Sequence, residues 1–556
     1  MTRSTLDQAD SALATVALWR ERAEYPTVPP YHASHAHPEL APLAPDVSRA
    51  PNPVYEAVRG ALRALGLDAA RFGTPAWNPL TALVRPGDRV LVKPNWVMHR
   101  HPDEARLGAI PAFECLISHT AVLRAVVDYV QLALRGQGRI VIADAPLQGC
   151  DFEALCTRAR VPELLAHYRR LAEQPPVAGF RPLPVEVADL RLEVATERAR
   201  VGNFGITLRK EKRPDEGRHS LVSLDGYSSL EPICVDDPAF RVTCYDPITM
   251  TRAHGLGSHT YCVAREVLEA DAVINVPKLK THKKGGITVA LKNLVGINGH
   301  KSYLPHHRRG AVADGGDEFL AVDVLKDLAS RLHDVQYREG QPAWRQRALA
   351  AAASTLMALD RLVREDGTET GSWYGNDTIW RTCLDLNRIL LYADHDGIFR
   401  GGESEAPPQR RVLHIVDGIY GGDGDGPLAP RPRPSGVVLA GLSAAYVDLS
   451  AALVMGLAWQ AIPLVREAFG AFRGAPLVRG RPEGLRLESN VAAWRGARLA
   501  DCPNGLPESL GYEPAPGWEG VLDPGGAVGG RAPVDVARRR LGALWRRNAA
   551  ARASGA

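Results

Sequence analysis

The chain has 556 residues and a net charge of +4, from 67 Lys and Arg against 63 Asp and Glu. This length exceeds the roughly 250–300 residues that a single core holds, so more than one structural unit is expected. The charge is small and spread along the chain, which argues against nucleic acid as the main partner.

The chain contains neither a secretory signal nor a membrane-spanning run. Its first 22 residues carry charges throughout, and no apolar run reaches the roughly 20 residues of a membrane span. We therefore expect a cytoplasmic protein with no membrane span.

The eight cysteines never occur as CxxC. Disulfides would be unusual in the cytoplasm, and no ferredoxin-type cluster motif or zinc-finger spacing is present. A site assembled from cysteines distant in sequence remains an alternative.

Residues 1–80 are rich in proline and histidine, with one amphipathic stretch at 54–65. We interpret them as an N-terminal extension.

Residues 81–150 are predicted to form the first part of an α/β core. An apolar, β-branched run at 88–97 predicts a strand, and a second buried strand is predicted at 139–146. Between them, apolar residues at helical spacing predict a helix at 122–134 with Ser118 as its cap. A strand, a helix and a strand in this order indicate a parallel βαβ unit.

Residues 151–255 interrupt this pattern. They begin with a predicted helix at 152–173 and continue with strand-like segments at 183–194 and 201–208. We interpret them as an inserted segment or subdomain.

Residues 256–470 are predicted to form the second part of the core, and residues 471–556 a C-terminal extension with a basic helix at 534–547. The predicted elements of the second part are a helix at 263–270, a strand at 271–276, helices at 319–337, 344–364 and 377–393, strands at 411–417 and 436–440, and a helix at 444–455.

Together these elements predict an α/β fold: a mostly parallel sheet with helices on both faces, whose core is split by an inserted α+β segment. Open parallel sheets bind ligands outside the carboxyl ends of their strands. Four polar clusters follow predicted strands here, namely Lys93 with Asn95, Asp144 with Gln148, the stretch 275–284, and the stretch 417–425. We expect them to meet at one edge of the sheet.

Lysine is scarce in this chain and clustered. Only ten are present, and six of them lie between Lys278 and Lys301. A lysine ammonium is a compact charge whose pKa moves readily on burial, unlike that of an arginine guanidinium. This segment is therefore the strongest candidate for a site, although a solvated basic loop is the alternative.

The lysine segment contains a predicted anion site. Gly285 and Gly286 allow a close turn that can bring His282 and Lys292 together, and we assign these two as catalytic residues, with His282 as the acid–base group. The predicted binding residues for a small carboxylate or phosphate are Lys93, Asn95, Asn275, Lys278, Lys280, Asn293 and Asn376.

Two further groups are weaker candidates. The Gly- and Asp-rich stretch 417–426 predicts a divalent-metal site at Asp417 and Asp425, with a tight structural loop as the alternative. His300, His306 and His307 can titrate near neutral pH, with an exposed loop as the alternative.

Several motifs carry a resemblance to a known family. They are Lys93-Pro94-Asn95, Asn275-Val-Pro277-Lys278-Leu-Lys280-Thr-His282, Leu291-Lys292-Asn293, Gly375-Asn376-Asp377 and Asp417-Gly418 with Gly424-Asp425-Gly426-Pro427. In this combination the chain resembles the family called domain of unknown function 362. Many members carry CxxCxxC clusters, which this chain lacks.

A more distant likeness is to the nickel-pincer lactate racemases, whose central motif also places a histidine ten residues before a lysine across a Gly-Gly turn. His282 and Lys292 match that spacing, whereas the racemases' Asp-x-x-Arg is not reproduced at 95–98. The resemblance implies a shared architecture and a Lys/His site.

These observations predict an enzyme of the isomerase, racemase or another acid–base class that acts on a small anionic metabolite. The alternatives are a ligand-binding or assembly protein without catalysis, and a redox partner associated with iron–sulfur proteins.

Overall fold

The computed structural model describes residues 11–522, with gaps at 44–45, 109–110, 178, 202–204, 215–216, 235–238, 364–368, 403–405, 471, 473–474 and 504. The basic helix predicted at 534–547 lies outside these residues.

A ten-stranded sheet, counted over the described residues, forms the centre of the fold. Its main path runs in the order β17-β1-β16-β15-β11-β2-β3-β4, and β12 and β13 extend from β15. The strands are β1 Thr15–Arg20, β2 Arg89–Pro94, β3 Arg139–Asp144, β4 Val185–Asp189, β11 Ala272–Val276, β12 Lys278–His282, β13 Gly286–Thr288, β15 Arg411–Asp423, β16 Arg431–Gly441 and β17 Arg486–Ser489.

Most strand pairs of this sheet are parallel. The central run β4, β3, β2, β11 and β15 is parallel throughout, whereas β16 is antiparallel to both β15 and β1. The central strands are buried on both faces because helices cover both, as their continuous apolar sequences predict.

Helices lie on both faces of the sheet. The helices on one face, called the first face, pack against the side chains of Val90, Ile140 and Ile274. The helices on the other, second face pack against those of Val16, Val416 and Leu439. On the first face lie α1 Pro53–Ala64, α3 Thr120–Leu134, α4 Phe152–Arg158 and α5 Val161–Glu173; on the second lie α8 Ala290–Asn293, α11 Ile379–Tyr392, α12 Ala444–Met455 and α13 Pro463–Arg466. The predicted α/β class is confirmed.

The remaining elements lie outside the main sheet. The strands are β5 Glu193–Val201 and β6 Gly205–Lys212, which pair with each other, β7 His219–Ser223, β8 Phe240–Arg241, β9 His254–Gly255, β10 Ser258–Ala264 and β14 His307–Arg308. The helices are α2 Glu104–Leu107, α6 Pro247–Ala253, α7 Arg265–Leu268, α9 Val324–Gln336 and α10 Ala343–Val363. Residues 151–255 therefore contribute both helices and small sheets, and also the edge strand β4 of the main sheet.

Four predicted elements differ in the structure. The helix predicted at 263–270 begins only at Arg265, because β10 runs to Ala264 and pairs with β7. The helix predicted at 319–337 begins at Val324, where Asp323 accepts hydrogen bonds from the backbone. The helix predicted at 152–173 is two helices, since Arg160 adopts a left-handed φ of 60°.

The fourth difference concerns the Gly- and Asp-rich stretch, which is not a loop over its whole length. Strand β15 continues to Asp423, held by β16 on one side and β12 on the other. The strand needs glycine here because neighbouring side chains pack directly against its backbone: a Cβ at Gly421 would lie 1.8 Å from the Tyr512 hydroxyl.

The cap of α3 is also not the one predicted. His119 is the N-cap, and its Nδ1 accepts the backbone N–H of Ala121. Ser118 instead accepts from Asn95 N and donates to Val276 O, so it ties the ends of β2 and β11 together.

Two segments near the ends of the described residues, β1 and β17, belong to the main sheet. Strand β1 lies between β16 and β17, antiparallel to the first and parallel to the second. The five segment boundaries inferred from the sequence stay predictions, although residues 15–20 and 486–489 belong to the same sheet as the core.

A buried ion pair holds the N-terminal segment against β12 and β15. Lys278 Nζ lies 3.1 Å from Asp417 Oδ2 and 2.7 Å from the Tyr25 hydroxyl, and that hydroxyl donates to Asp417 Oδ1 at 2.6 Å. The His119 ring stacks on Tyr25 at 3.9 Å, and His119 N donates to Asp417. Both charges are fully buried, so each depends on the other for its polar partners.

Replacing one member of this pair will destabilise the protein. Asp417→Asn leaves the Lys278 ammonium buried without a counter-charge, which we expect to lower the free energy of unfolding by about 3–5 kcal/mol. Urea unfolding followed by tryptophan fluorescence measures it.

The matched control is Asp425→Asn. Asp425 pairs with Lys283 at 3.0 Å, but these side chains are 46% and 36% exposed, so the change should stay within about 1 kcal/mol. Equal losses for the two variants would contradict the role of the buried pair.

Candidate functional site

A cavity of about 300 Å³ lies at the carboxyl ends of the central strands. Its walls come from the segments after β2 and β3, from the β12–β13 hairpin, from α8, and from residues 242–245 of the inserted segment. The site is thus at the edge where parallel sheets bind ligands, and the polar clusters after β2, β3 and β11 contribute to it.

The β12–β13 hairpin presents His282 to the cavity. Its turn is tight because Gly286 has a φ of +78° and packs against Ile462 and Trp518, where a Cβ would lie 3.1 Å from Ile462. The indole N–H of Trp518 donates to Lys283 O at 2.8 Å and fixes the turn from the other side.

Lys292 is carried by the short helix α8, which is held at both ends. Asp448 is fully buried and accepts the backbone N–H groups of Ala290, at 2.7 Å, and Leu291, at 3.3 Å. Asn387 donates to Leu291 O at 2.8 Å. These contacts satisfy the free amides of the first helical turn and fix the direction of Lys292.

Five lysines line the cavity, and they differ in their partners. Lys283 pairs with Asp425, and Lys284 donates to Thr370 O. The lining lysines are Lys280, Lys283, Lys284, Lys292 and Lys301.

Four of these lysines, namely Lys280, Lys284, Lys292 and Lys301, have no ion-pair partner among the described residues, although Glu318 and Asp317 lie near enough to Lys284 to favour its charge. Lys280 Nζ donates to Leu116 O at 2.8 Å and Lys301 Nζ to Ala145 O at 3.3 Å. Lys292 is only 8% exposed. Within the described ranges, its Nζ has no hydrogen-bond or ion-pair partner. The cavity therefore holds an excess of positive charge.

Burial and mutual repulsion weaken these charges. Burial is the largest cause that lowers the pKa of Lys280 to about 7; Cys115 and Asp144 oppose it, and the charges of Lys278 and Lys292 add to it. Burial also lowers the pKa of Lys301 to about 7, that of Lys284 to about 8, and that of Lys292 below its usual range. A bound anion would favour the protonated form of each.

Two histidines of the cavity have opposite tautomers, assigned from their hydrogen-bond partners. His282 Nδ1 accepts the backbone N–H groups of Lys284, at 3.0 Å, and Gly285, at 3.2 Å, so the ring proton is on Nε2. His306 Nδ1 lies 2.7 Å from Leu304 O and must donate to it, so its Nε2 carries the lone pair. Burial and the nearby lysines hold the pKa of both rings far below the usual range.

Several buried polar atoms of the cavity wall have no hydrogen-bond partner in the structure. They are Asn95 Oδ1, Trp96 Nε1, Gln148 Oε1 and Nε2, and Thr288 Oγ1. An unsatisfied buried polar group costs about 1–3 kcal/mol, and native proteins keep few of them. Their concentration in one cavity indicates a place for a ligand.

A network of hydrogen bonds connects polar residues of the cavity wall to the layer of buried residues beneath it. Lys93 Nζ lies 2.6 Å from Asp144 Oδ1, and Asn293 bonds to both Asn95 and Asn275. Gly296 makes this layer possible, because a Cβ there would lie 2.0 Å from Asp144 Oδ1. This layer orients the residues above it.

The structure brings five of the predicted residues to the cavity wall, namely Asn95, Lys280, His282, Lys292 and Asn293. Lys93 and Asn275 lie in the layer beneath. Lys278 is turned away toward Asp417 and Tyr25. Asn376 lies outside the wall and donates to His306 O at 2.8 Å, so it positions His306.

The two predicted metal ligands lie in different surroundings. Asp417 accepts hydrogen bonds from Tyr25, His119 and Lys278, whereas Asp425 pairs with Lys283 at the surface. No group of three or more metal-binding side chains occurs among the described residues. The structure does not join these two aspartates into one ligand set.

Of the three predicted histidines, only His306 lines the cavity. His300 lies 4.0 Å from Glu193, and His307 lies 3.9 Å from Glu318.

Several wall residues were not assigned from the sequence. Lys284 and Lys301 belong to the lysine cluster, and Gln148 follows a predicted strand, so their signal was visible. The sequence did not distinguish Trp96 and Thr288 from their neighbours. Tyr245 gave no signal, since only the tertiary structure brings the segment 242–245 to the cavity.

Comparison with known proteins agrees with the motifs. Residues 228–452 match the model of the family described as "Domain of unknown function (DUF362)", so the resemblance to this family is confirmed. The matched range includes the hairpin, α8, α11 and β15, whereas Lys93 and Asn95 precede it.

A curated relative is a thylakoid-associated protein from Synechocystis sp., 32% identical over 111 residues, which is 18% of this chain and 34% of the relative. The chain thus spans about a third of that protein's length. No solved structure matches significantly. In the part of the chain that the structure describes, no helix is long and apolar enough to cross a membrane.

The lowered lysine pKa values predict that anion binding depends on pH. Sulfate stays a dianion from pH 6 to 9, but Lys280 and Lys301 lose their charges as the pH rises through about 7. Affinity for sulfate should therefore fall as pH rises, by about tenfold per pH unit for each lysine that must be recharged. Isothermal titration calorimetry in two buffers of different ionisation enthalpy measures both affinity and proton uptake.

Two variants provide the comparison for this experiment. Lys280→Met should reduce the pH dependence to the part that Lys301 contributes, whereas Lys283→Met should keep it in full, because Lys283 pairs with Asp425 near the surface. A wild-type affinity that is equal at pH 6 and pH 9 would contradict the electrostatic account.

Proposed function

We propose that the chain is an enzyme that binds a small anionic metabolite in this cavity and transfers a proton on it. The observation that carries the proposal is the unpaired, buried Lys292 ammonium in a cavity shared with two histidines of opposite tautomer. Perturbed titratable groups in a cleft mark functional sites, because structural groups rarely remain unpaired.

The number of charges suggests a ligand with more than one negative charge. Lys280, Lys292 and Lys301 have no carboxylate partner among the described residues, while Asp144, a buried acid of the same cavity, is already bonded to Lys93. A dianion would balance most of this excess and restore the normal ionisation of the lysines.

The histidine tautomers suggest separate roles. With Nδ1 occupied by two backbone N–H groups, His282 can donate from Nε2 to a substrate oxygen as a neutral electrophile. His306 can accept a proton at Nε2, because its Nδ1 proton is held by Leu304 O, and a bound dianion would raise its lowered pKa by offsetting the charges of Lys292 and Lys284. This assignment refines the acid–base role predicted for His282.

The chemistry that these roles support is proton abstraction from a carbon next to a carbonyl group. His306 Nε2 takes the proton of the C–H bond, and the electron pair moves onto the carbonyl oxygen, where His282 and Lys292 stabilise the negative charge. Return of the proton to the opposite face of the same carbon gives racemisation. In a substrate with a hydroxyl group on that carbon, protonation of the original carbonyl oxygen, loss of the hydroxyl proton and return of the carbon-bound proton to the former carbonyl carbon give isomerisation. No electrons leave the substrate in either reaction.

The test follows deuterium uptake from D₂O into candidate ligands by NMR. Wild-type protein should exchange the acidic C–H proton of a bound ligand. His282→Gln and His306→Gln should reduce the rate by about 100-fold or more while keeping ligand affinity within about threefold, because anion binding relies on the lysines.

His300→Gln is the matched control, since His300 lies near Glu193 and outside the cavity wall. It should exchange at the wild-type rate. Ligand binding to the wild type without any exchange would contradict the enzymatic proposal and favour a binding protein.

A further inference from the structure

The unpartnered wall atoms say more about the ligand than its charge. Gln148 is 3% exposed and Thr288 is 3% exposed, yet Gln148 Oε1 and Nε2 and Thr288 Oγ1 have no hydrogen-bond partner in the described structure. Trp96 Nε1 and Asn95 Oδ1 also have no hydrogen-bond partner there. These residues come from three separate segments, after β2, after β3 and on β13, and all four line one cavity.

The unpartnered atoms include acceptors as well as donors. Trp96 Nε1 and Gln148 Nε2 can only donate, whereas Asn95 Oδ1 and Gln148 Oε1 can only accept. A fully ionised anion has no proton to give, so it cannot satisfy these two carbonyl oxygens. They require a ligand with O–H or N–H groups of its own.

The cationic part of the wall favours phosphate over carboxylate. Its described charged donors are all lysines, with no arginine among them. An arginine fork matches the planar carboxylate in two parallel bonds, whereas lysine ammonium groups act as point charges and suit a tetrahedral dianion approached from several directions. Lys280, Lys292 and Lys301 come from three different positions in the fold.

The remaining wall is apolar and the volume is small. Val97, Leu147, Val242, Leu304 and Leu428 line it, and about 300 Å³ is at the lower end of the usual range for ligand pockets. C–H groups of a short carbon chain or a single sugar ring would contact such side chains.

We infer that the ligand is a phosphate ester of a small polyol or sugar, with its phosphate on the lysines and its hydroxyl groups on Gln148, Asn95, Thr288 and Trp96. This inference rests on the proposed anion-binding function and names its substrate class. A carbonyl group in the same molecule would supply the acidic C–H bond.

The test compares ligand pairs that differ only in hydroxyl groups. Isothermal titration calorimetry at pH 6.5 would measure glycerol 3-phosphate against propyl phosphate, and erythritol 4-phosphate against butyl phosphate. We expect each hydroxylated ester to bind at least tenfold more tightly than its partner.

Two variants locate the effect. Gln148→Leu should reduce the preference for the hydroxylated ester to about threefold or less and leave propyl phosphate binding unchanged. Thr288→Val, which keeps the side-chain shape, should reduce the preference without depending on how Gln148→Leu folds. Gln460→Leu is the control outside the cavity and should behave as wild type.

The outcomes separate this inference from the proposed function. Equal affinity for both members of each pair would overturn the polyol assignment and keep the anion site. Tenfold tighter binding of gluconate than of hexanoate, with no phosphate ester bound, would overturn the phosphate assignment alone. If none of these anions binds at pH 6.5, the proposed function and the inference both fail.

Discussion

The cost of removing ammonium groups from water is the constraint on which the site depends. A charge in a low-dielectric environment is stable only when it is paired or when its pKa moves. Lys93 and Lys278 are paired with Asp144 and Asp417, which oppose the lowering of their pKa values by burial, while the pKa values of Lys280, Lys292 and Lys301 are lowered without an ion-pair partner among the described residues. The same residue type is thus paired with a carboxylate in one layer and left without one in the next.

The scaffold makes this arrangement tolerable. Lys292 remains in place because Asp448 and Asn387 satisfy the backbone of α8 from α12 and α11, on the second face of the sheet. Such support leaves little freedom for the side chain to reach bulk water. The large sheet and its two helical layers provide the stability that offsets the free-energy cost of the unpaired polar groups in the cavity.

Much of the fold was predictable from the sequence. Continuous apolar runs identify β2, β3 and β11 because strands covered on both faces need no polar alternation. The helix expected at 263–270 is shortened to Arg265–Leu268 because pairing of β10 with β7 overrides local helical periodicity up to Ala264. The continuation of β15 through its glycines was equally hidden, since it depends on β12 and β16, which are distant in sequence.

The sequence by itself determined the class of fold, the strand ends that carry polar groups, and the lysine cluster with its Gly-Gly turn. These are local properties, set by periodicity, glycine conformation and composition. Only the tertiary structure decided which lysines face the cavity: Lys278 and Lys280 are two residues apart on one strand, yet the first meets Asp417 and the second lines the wall. Partners that fix ionisation and tautomer come from distant segments, so the chemistry of these side chains exists only in the folded chain.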